Sequence, residues 1–368
     1  MQIVLMATLV SCILTTILAV LLVVAEKYLV NYGVVEIDIN NGSKTMEIEG
    51  GESLLMSLRN NGLYLPSACG GRGTCAYCKC QILSGGGPVG PTETPLLDEK
   101  EVADDVRISC QVKVREPMKI HIPEELLLVK EFTARVERIG DLTHDIKELR
   151  LELIEPETIE FTPGHYVQLE APPYGDNKES VFRAYSISSV PSDNRHVELI
   201  IRLVPGGICT TYVFEHLKEG DEVKFTGPFG EFRMSETDAE MIWIAGGSGM
   251  APFWSMVRHM KEHGIDRPAK YFFGAVNKRD LFFVEELRKL AGEMPNFQFI
   301  PGLSGSGEGV EGWDGDTGLI TEVVGRHVED GENKEGYLCG SPGMCDAAVA
   351  VLYEKGIPES RVYFDKFA

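Results

Sequence analysis

A membrane-spanning helix followed by three folded regions is the architecture that this 368-residue chain predicts. The regions are a small α+β domain, a closed antiparallel β-barrel and a doubly wound parallel α/β sheet. Three observations carry this reading. The first 25 residues contain no charged side chain, short alternating strands fill residues 130–236, and strands alternate with helical patterns from 237 to the end. The expected boundaries are therefore 1–28, 34–125, 130–236 and 237–368.

The opening run, "MQIVLMATLVSCILTTILAVLLVVA", is long enough at ~1.5 Å per residue to cross a hydrocarbon core of ~30 Å. Ser11, Thr15 and Thr16 are tolerable inside it, because hydroxyls can bond the helix backbone. A cleaved signal peptide would want a basic opening and a shorter apolar stretch, whereas Lys27 is the first basic residue. A retained single span is expected, with the folded domains on the cytoplasmic face of the cell inner (plasma) membrane. The formal charge of −21 excludes a nucleic-acid partner, which would require a basic face.

Segment 34–49 reads as a hairpin turning at Asn41-Gly42, and "SLLMSLRNNG" as a short helix ending near Gly62. Strands "CQIL", "RISCQVKV" and "MKIHI" complete the α+β unit. Six strands with turn signals between them follow, "FTARVERIG", "IKELRLELI", "HYVQLEA", "RAYSISS", "HVELIIRLV" and "EVKFTGPFG", which is the pattern of a barrel. "TTYVFEHL" is the helical stretch among them. From "MIWIA" to "VYF" the βα alternation predicts the parallel sheet.

Five of the nine cysteines fall between 69 and 110. Cys69, Cys75 and Cys78 stand at C-x5-C-x2-C, and Cys110 supplies a distant fourth thiolate. Zinc sites usually show two C-x2-C pairs, and a disulfide framework would normally spread over a small secreted domain. Two irons bridged by two sulfides need four thiolates with amide donors around them, and Gly70, Gly71 and Gly73 let the backbone curl to supply those donors. A 2Fe–2S cluster on these four cysteines is the reading. Cys80 is expected to be a packed thiol, from its alternation along "CKCQIL".

"RAYS" lies on a barrel strand. There Arg183 can pair with a pyrophosphate, Tyr185 can stack on a ring and Ser186 can hydrogen-bond a flavin nitrogen. Gly206, Gly207, Thr210 and Thr211 open a helix whose N–H groups favour phosphate. "IWIAGGSGMAPF" is a strand, a glycine turn and a helix start. Gly247 and Gly249 match the first two positions of Gly-x-Gly-x-x-Gly, while Pro252 takes the third and is expected to open the helix at its first position. Cys339, at the carboxyl end of "YLCG", lies where ligands bind in such sheets and is assigned a contact near a nicotinamide. Tyr185, Ser186 and Cys339 are the expected catalytic residues. Lys278 and Arg279 follow strand "YFFGAV", where they either meet a 2′-phosphate or stand as solvated charges.

On these motifs the chain resembles the F-subunit family of the sodium-translocating NADH:quinone oxidoreductases, a membrane-anchored branch of the ferredoxin reductases. The resemblance implies a β-grasp ferredoxin domain, an FAD barrel and an NADH domain in that order. It implies FAD, a 2Fe–2S cluster and NADH as cofactors and substrate, and other membrane subunits of a quinone reductase complex as partners. It carries Gly246 and Gly340 into the NADH motifs beside Gly247, Gly249 and Cys339. It also matches "GPFGEF" and places Phe367 as the terminal aromatic over the flavin. Two departures are visible: Ser341 replaces the first proline of the family's CGPP, and only "PPYGDNKESVF" precedes "RAYS", where the family has a sizeable insertion. The implied activity is NADH oxidation through FAD and the cluster to a membrane acceptor and ultimately quinone. The rival is the reductase component of an oxygenase or a stand-alone NAD(P)H reductase. NADH delivers two electrons and an iron–sulfur centre takes one, so a flavin between them fits both.

Overall fold

The computed structural model describes residues 2–29 and 32–366; Phe367 therefore lies outside the described residues. The chain divides into two compact units, Met1–Leu65 with Gly71–Leu128, and Pro66–Gly70 with Val129–Ala368.

The first unit opens with helix α1 (Gln2–Leu29). Along residues 8–23 its side chains are exposed on every face, among them Leu9, Ile13, Ile17 and Leu21. Thr15 and Thr16 turn their hydroxyls onto the carbonyls of Ser11 and Cys12, as hydroxyls in an apolar helix do. Among the residues whose side chains are described, which in α1 are 6 and 8–23, no helix is long and apolar enough to cross a membrane.

Strands β1 (Val34–Ile39) and β2 (Lys44–Glu49) form the expected hairpin, with Asn40 and Asn41 both at φ near +53° in the turn. Helix α2 (Leu54–Asn60) starts at Ser53, whose hydroxyl accepts the Met56 N–H, and it buries Leu54, Leu55 and Leu58. Strand β3 (Lys79–Ser84), helix α3 (Glu99–Ala103), and strands β4 (Val106–Ile108) and β5 (Met118–His121) complete a sheet in the order β2-β1-β5-β3-β4. The expected strand "RISCQVKV" is a strand only to Ile108, because the chain turns there and the Gln111 N–H returns to the Ile108 carbonyl. Arg107 and Glu93 form a buried bidentate pair. The rest of that guanidinium donates to the carbonyls of Gly86, Gly87 and Pro88, while Glu93 also accepts the Gly90 and Ile108 N–H groups.

In the second unit, strands β6 (Lys130–Asp141), β7 (Ile146–Glu155), β8 (Tyr166–Ala171), β9 (Val181–Ser186), β10 (His196–Arg202) and β11 (Glu222–Phe229) are antiparallel in the order β10-β7-β6-β11-β8-β9. An Ile187–Leu199 bridge joins the two end strands and closes the barrel around Phe132, Leu149, Leu199 and Phe225. The short helix α4 (Ile208–Thr211) continues into a π turn over 212–216.

A parallel six-stranded sheet follows: β12 (Glu240–Gly246), α5 (Met250–His263), β13 (Ala269–Ala275), α6 (Val284–Glu293), β14 (Phe297–Leu303), β15 (Asp316–Thr317), α7 (Ile320–His327), β16 (Lys334–Gly340), α8 (Pro342–Glu354) and β17 (Val362–Lys366). Its order is β15-β14-β13-β12-β16-β17, so the winding reverses between β12 and β16. That reversal opens a crevice beyond the carboxyl ends of those two strands. Trp243, Phe253, Tyr271 and Tyr337 fill the core on one face.

The connection from barrel to sheet is pinned by Glu335, almost wholly buried on β16. Its carboxylate accepts from Ser235 Oγ at 2.6 Å, Thr237 Oγ1 at 2.7 Å, and Tyr337 Oη and Arg267 Nη2 at 2.8 Å each. Burial pushes this carboxyl up, but the four donors outweigh it and hold the group at about 2. Glu335→Gln strands Arg267 and is expected to cost about 3 kcal/mol in denaturant unfolding at pH 7. The wild-type contribution is full above the ordinary value near 4.5 and disappears as pH falls toward about 2. The gap between wild type and variant should therefore close across that interval.

Candidate functional site

The thiol loop is built from conformations that side chains disfavour. Gly70, Gly71 and Gly73 have φ of +67°, +85° and +74°, and Ala76, between Cys75 and Cys78, has φ +57°. A Cβ on Gly73 would sit 2.5 Å from Gln111 Nε2, which itself donates to Cys110 Sγ at 3.4 Å. Cys78 and Cys110 are brought into contact. Hydrogen bonding to Cys110, with burial, pushes the Cys78 thiol well above the ordinary cysteine range. A Cys78 thiol held this way takes thiolate form only when a cation replaces its proton, which suits an iron–sulfur centre. Cys69 is buried and Cys75 half-buried. Among the described residues no three His, Cys, Asp or Glu side chains are already grouped as a metal site. Cys80 is buried on β3, and burial pushes its thiol up to about 12, as befits a packing residue.

In the second unit, β9 carries Arg183, Tyr185 and Ser186. Arg183 Nη1 donates to the Phe182 carbonyl at 2.7 Å, and a Cβ on Gly70 would collide with that same nitrogen. Tyr185 Oη is buried with no hydrogen-bond partner among the described residues. Such an orphan costs about 1–3 kcal/mol unless something meets it, so the strand fits a polar ligand. Thr210 is turned inward: its Oγ1 accepts the Val204 N–H at 3.1 Å and lies 3.2 Å from the Gly207 carbonyl, closing the loop before α4. Gly206 takes φ +72° in that loop, and the Thr211 N–H returns to the Gly207 carbonyl.

At the winding reversal, Gly247 (φ +56°) begins the turn and α5 starts at Met250. Pro252 therefore stands third in the helix and not first. It is accommodated because N–H groups throughout the first turn lack intrahelical acceptors. A Cβ on Gly249 would collide with the Cys339 carbonyl oxygen, so only glycine lets the helix start lie against β16. Gly246 and Gly340 (φ +151°) both abut Met344. The Cys339 thiol is fully buried, and burial, with Asp365 and Cys345 nearby, holds it protonated.

Asp365 is the residue that sequence reasoning missed. It pairs with Cys339 across β16 and β17, and its Oδ2 accepts from Ser186 Oγ at 3.0 Å. Burial raises this carboxyl despite the serine's hydrogen bond. It thus joins the serine of "RAYS" to the end of the parallel sheet. In the tail "FDKFA" the acid two positions before the terminal aromatic was the available signal. Lys278 is engaged with the Glu311 carbonyl, and Arg279 lies 3.6 Å from Asp280.

Three family models match the three folded regions: a 2Fe-2S iron-sulfur cluster binding domain at 37–115, an oxidoreductase FAD-binding domain at 133–234 and an oxidoreductase NAD-binding domain at 243–350. With the fold they define an oxidoreductase that uses FAD, a 2Fe–2S cluster and NADH. Among solved structures the chain is similar to the Amycolatopsis cytochrome P450 reductase GcoB, with TM-score 0.72 and 27% identity over 90% of this chain and 98% of that one. It is also similar to the ferredoxin reductase in carbazole 1,9a-dioxygenase, with TM-score 0.68 and 26% identity over 91% and 98%. Curated relatives, each named as the F-subunit of a Na(+)-translocating NADH-quinone reductase, come closer in sequence. The Methylococcus capsulatus protein is 36% identical, covering 93% of this chain and 94% of its own. The Marinomonas sp. protein is 35% identical, covering 100% and 99%. The Neisseria meningitidis serogroup B protein is 34% identical, covering 96% and 97%. The chain belongs to the F-subunit family of the Na(+)-translocating NADH-quinone reductases.

Two substitutions separate the subsites. Tyr185→Phe removes the orphan hydroxyl, so the FAD-stripped protein should unfold no more easily than wild type while FAD affinity falls roughly tenfold, as loss of one hydrogen bond implies. Flavin titration followed by fluorescence measures it. Gly249→Ala should raise the NADH dissociation constant at least ~10-fold with FAD content unchanged, since the clash moves the helix start and leaves β9 alone.

Proposed function

We propose that the chain is a membrane-anchored NADH dehydrogenase subunit. In this reading it delivers electrons through FAD and the 2Fe–2S cluster to other membrane subunits and ultimately to quinone. The observation that carries this reading is relatedness at 34–36% identity over nearly the whole chain to proteins bearing that subunit name. When bound, FAD converts a hydride pair into single electrons and the cluster carries them onward. The chain's own residues do the positioning. Cys69, Cys75, Cys78 and Cys110 are the proposed cluster ligands, with Gly70, Gly71 and Gly73 shaping the loop. Arg183, Tyr185 and Ser186 hold the flavin, Thr210 and Gly207 brace the loop that faces its phosphates, and the N–H groups after Gly247 and Gly249 receive the nucleotide pyrophosphate. Ser186, fixed by Asp365, keeps the flavin edge against the nucleotide crevice, where Cys339 supplies backbone and bulk in place of a nucleophile. No acid–base pair is needed, because hydride transfer depends on positioning.

The anchor rests on 25 uncharged residues and on apolar side chains exposed all round α1. Beyond its stripe of Thr8, Ser11, Thr15 and Thr16, the helix is apolar along residues 8–23, and such a surface calls for lipid or a partner helix. The folded domains would then lie on the cytoplasmic side of the inner membrane. A second reading, an oxygenase reductase component, is favoured by the two reductase structures that match over nine-tenths of the chain.

Purification from native membranes, followed by NADH-dependent quinone reduction with and without sodium, decides between them. Sodium stimulation and co-purifying membrane subunits are expected. Rapid reduction of artificial acceptors by a lone, sodium-indifferent chain would move the protein to the second reading.

A further inference from the structure

Helix α5 begins at the nucleotide turn, and its middle is fastened to the segment that leaves the flavin strand. Ser255 Oγ donates to the Ser189 carbonyl at 2.6 Å. One turn on, Arg258 Nη2 donates to the Ser188 carbonyl and to Glu198 Oε2, the latter at 3.0 Å. Ser188 and Ser189 are the second and third residues after Ser186. The Arg258 Cζ lies 4.7 Å from the centroid of the Trp254 ring, and Trp254 stacks on Phe283 at 4.5 Å. Glu198 is itself fixed: Arg150 Nη1 donates to its other oxygen at 2.6 Å, and Arg150 also holds Glu137 and Asp193. The backbone of Glu198 bonds Ser188 N–H and Ser189 Oγ at 2.8 and 3.2 Å.

We propose that Arg258, through Glu198 and the Ser188 carbonyl, is a positioning residue that sets the distance between the nucleotide-binding turn and the flavin strand. A helix is a stiff rod, and Arg258 lies about 13 Å along it from Gly249. Fixing that point against residues 188 and 189 fixes the turn at the other end relative to Ser186. Arg258 lies outside the proposed FAD and NADH contacts, so its effect falls on alignment and leaves affinity alone. Misalignment of about 1 Å lowers the rate of transfer up to ~100-fold without changing what binds. Lysine does not substitute, because the guanidinium donates from two separate atoms, Nη2 to the Ser188 carbonyl and Glu198 and Nε to the Trp254 carbonyl at 3.3 Å, and an ammonium is a single point.

The inference rests on NADH reducing bound flavin, and the test separates the two. Stopped-flow flavin reduction in Arg258→Ala is expected to slow about 10–100-fold, with the half-saturating NADH concentration within about twofold and FAD content retained. Amide exchange, read in the FAD-loaded protein without NADH and in the stripped protein, should quicken at 187–190 and 250–254 and stay unchanged on β13 and β14. Glu198→Gln should give a smaller effect, and the double variant no more than Arg258→Ala alone, as one connected unit requires. Unchanged exchange at 187–190 with an unchanged rate overturns the proposal. So does a parallel loss of FAD and of global thermal stability, which would make Arg258 a stability residue only. A wild-type protein whose flavin NADH does not reduce overturns the functional reading, and the exchange measurement still decides the fastening.

Discussion

The close approach of two backbones at the winding reversal governs the nucleotide half of this molecule. Strand β12 ends in Gly246, the chain turns through Gly247, and Gly249 lies so near the Cys339 carbonyl that no Cβ fits between them. That contact aims the start of α5 into the crevice. The crevice exists only because β12 and β16 are neighbours whose connections leave in opposite directions. Asp365, on the strand beside β16, then reaches Ser186 of the barrel. The order of strands, one missing methyl group and one carboxylate together bring two binding surfaces to a common edge.

Holding that edge takes buried charge as well as apolar packing. Glu335 with Arg267 clasps the barrel-to-sheet connection, and Glu198 with Arg150 and Arg258 ties the helix to the barrel. Desolvating such groups nearly cancels their attraction, so they add little net stability. Removing one partner of the buried Glu335–Arg267 pair is what costs, about 3 kcal/mol, whereas the partly exposed Arg150 and Arg258 fix alignment more than stability. Apolar contacts among Trp243, Phe253 and Tyr271 hold the sheet together without specifying how the barrel meets it.

Much of this was legible beforehand, for a physical reason: a strand with one buried face shows a period of two, one covered on both faces reads as a short apolar run, and helices repeat near 3.6. All six barrel strands, and the five longer strands of the parallel sheet, appear where those patterns put them. What escaped depends on tertiary context. Strand "RISCQVKV" stops at Ile108 because the chain must turn to present Cys110. Pro252 stands a little deeper in its helix because the glycine turn ends sooner than the motif suggests. Ala76 at φ +57° carries no sequence mark, since alanine does not advertise a left-handed backbone. β15 is only two residues long. Asp365 acts across the fold, on a serine 179 positions away, and no local pattern could report that. The spacing of the four cysteines was legible, whereas the contact between Cys78 and Cys110 required the fold.

One stretch reads as a loose tether and is built as something else. "SGGGPVGPTE", with its run of glycines, has the composition of a flexible linker open to proteases. Yet Arg107 grips three of its carbonyls and the carboxylate of Glu93, and that carboxylate accepts the Gly90 N–H. Every donor direction the guanidinium offers toward the loop is taken, so the segment is ordered by one side chain from a neighbouring strand. Its glycines then serve close approach more than freedom: a methyl on Gly86 would meet Ile82 at 2.8 Å. An engineer seeking a permissive site for a tag or fusion would choose this loop from its letters, and the fold would resist.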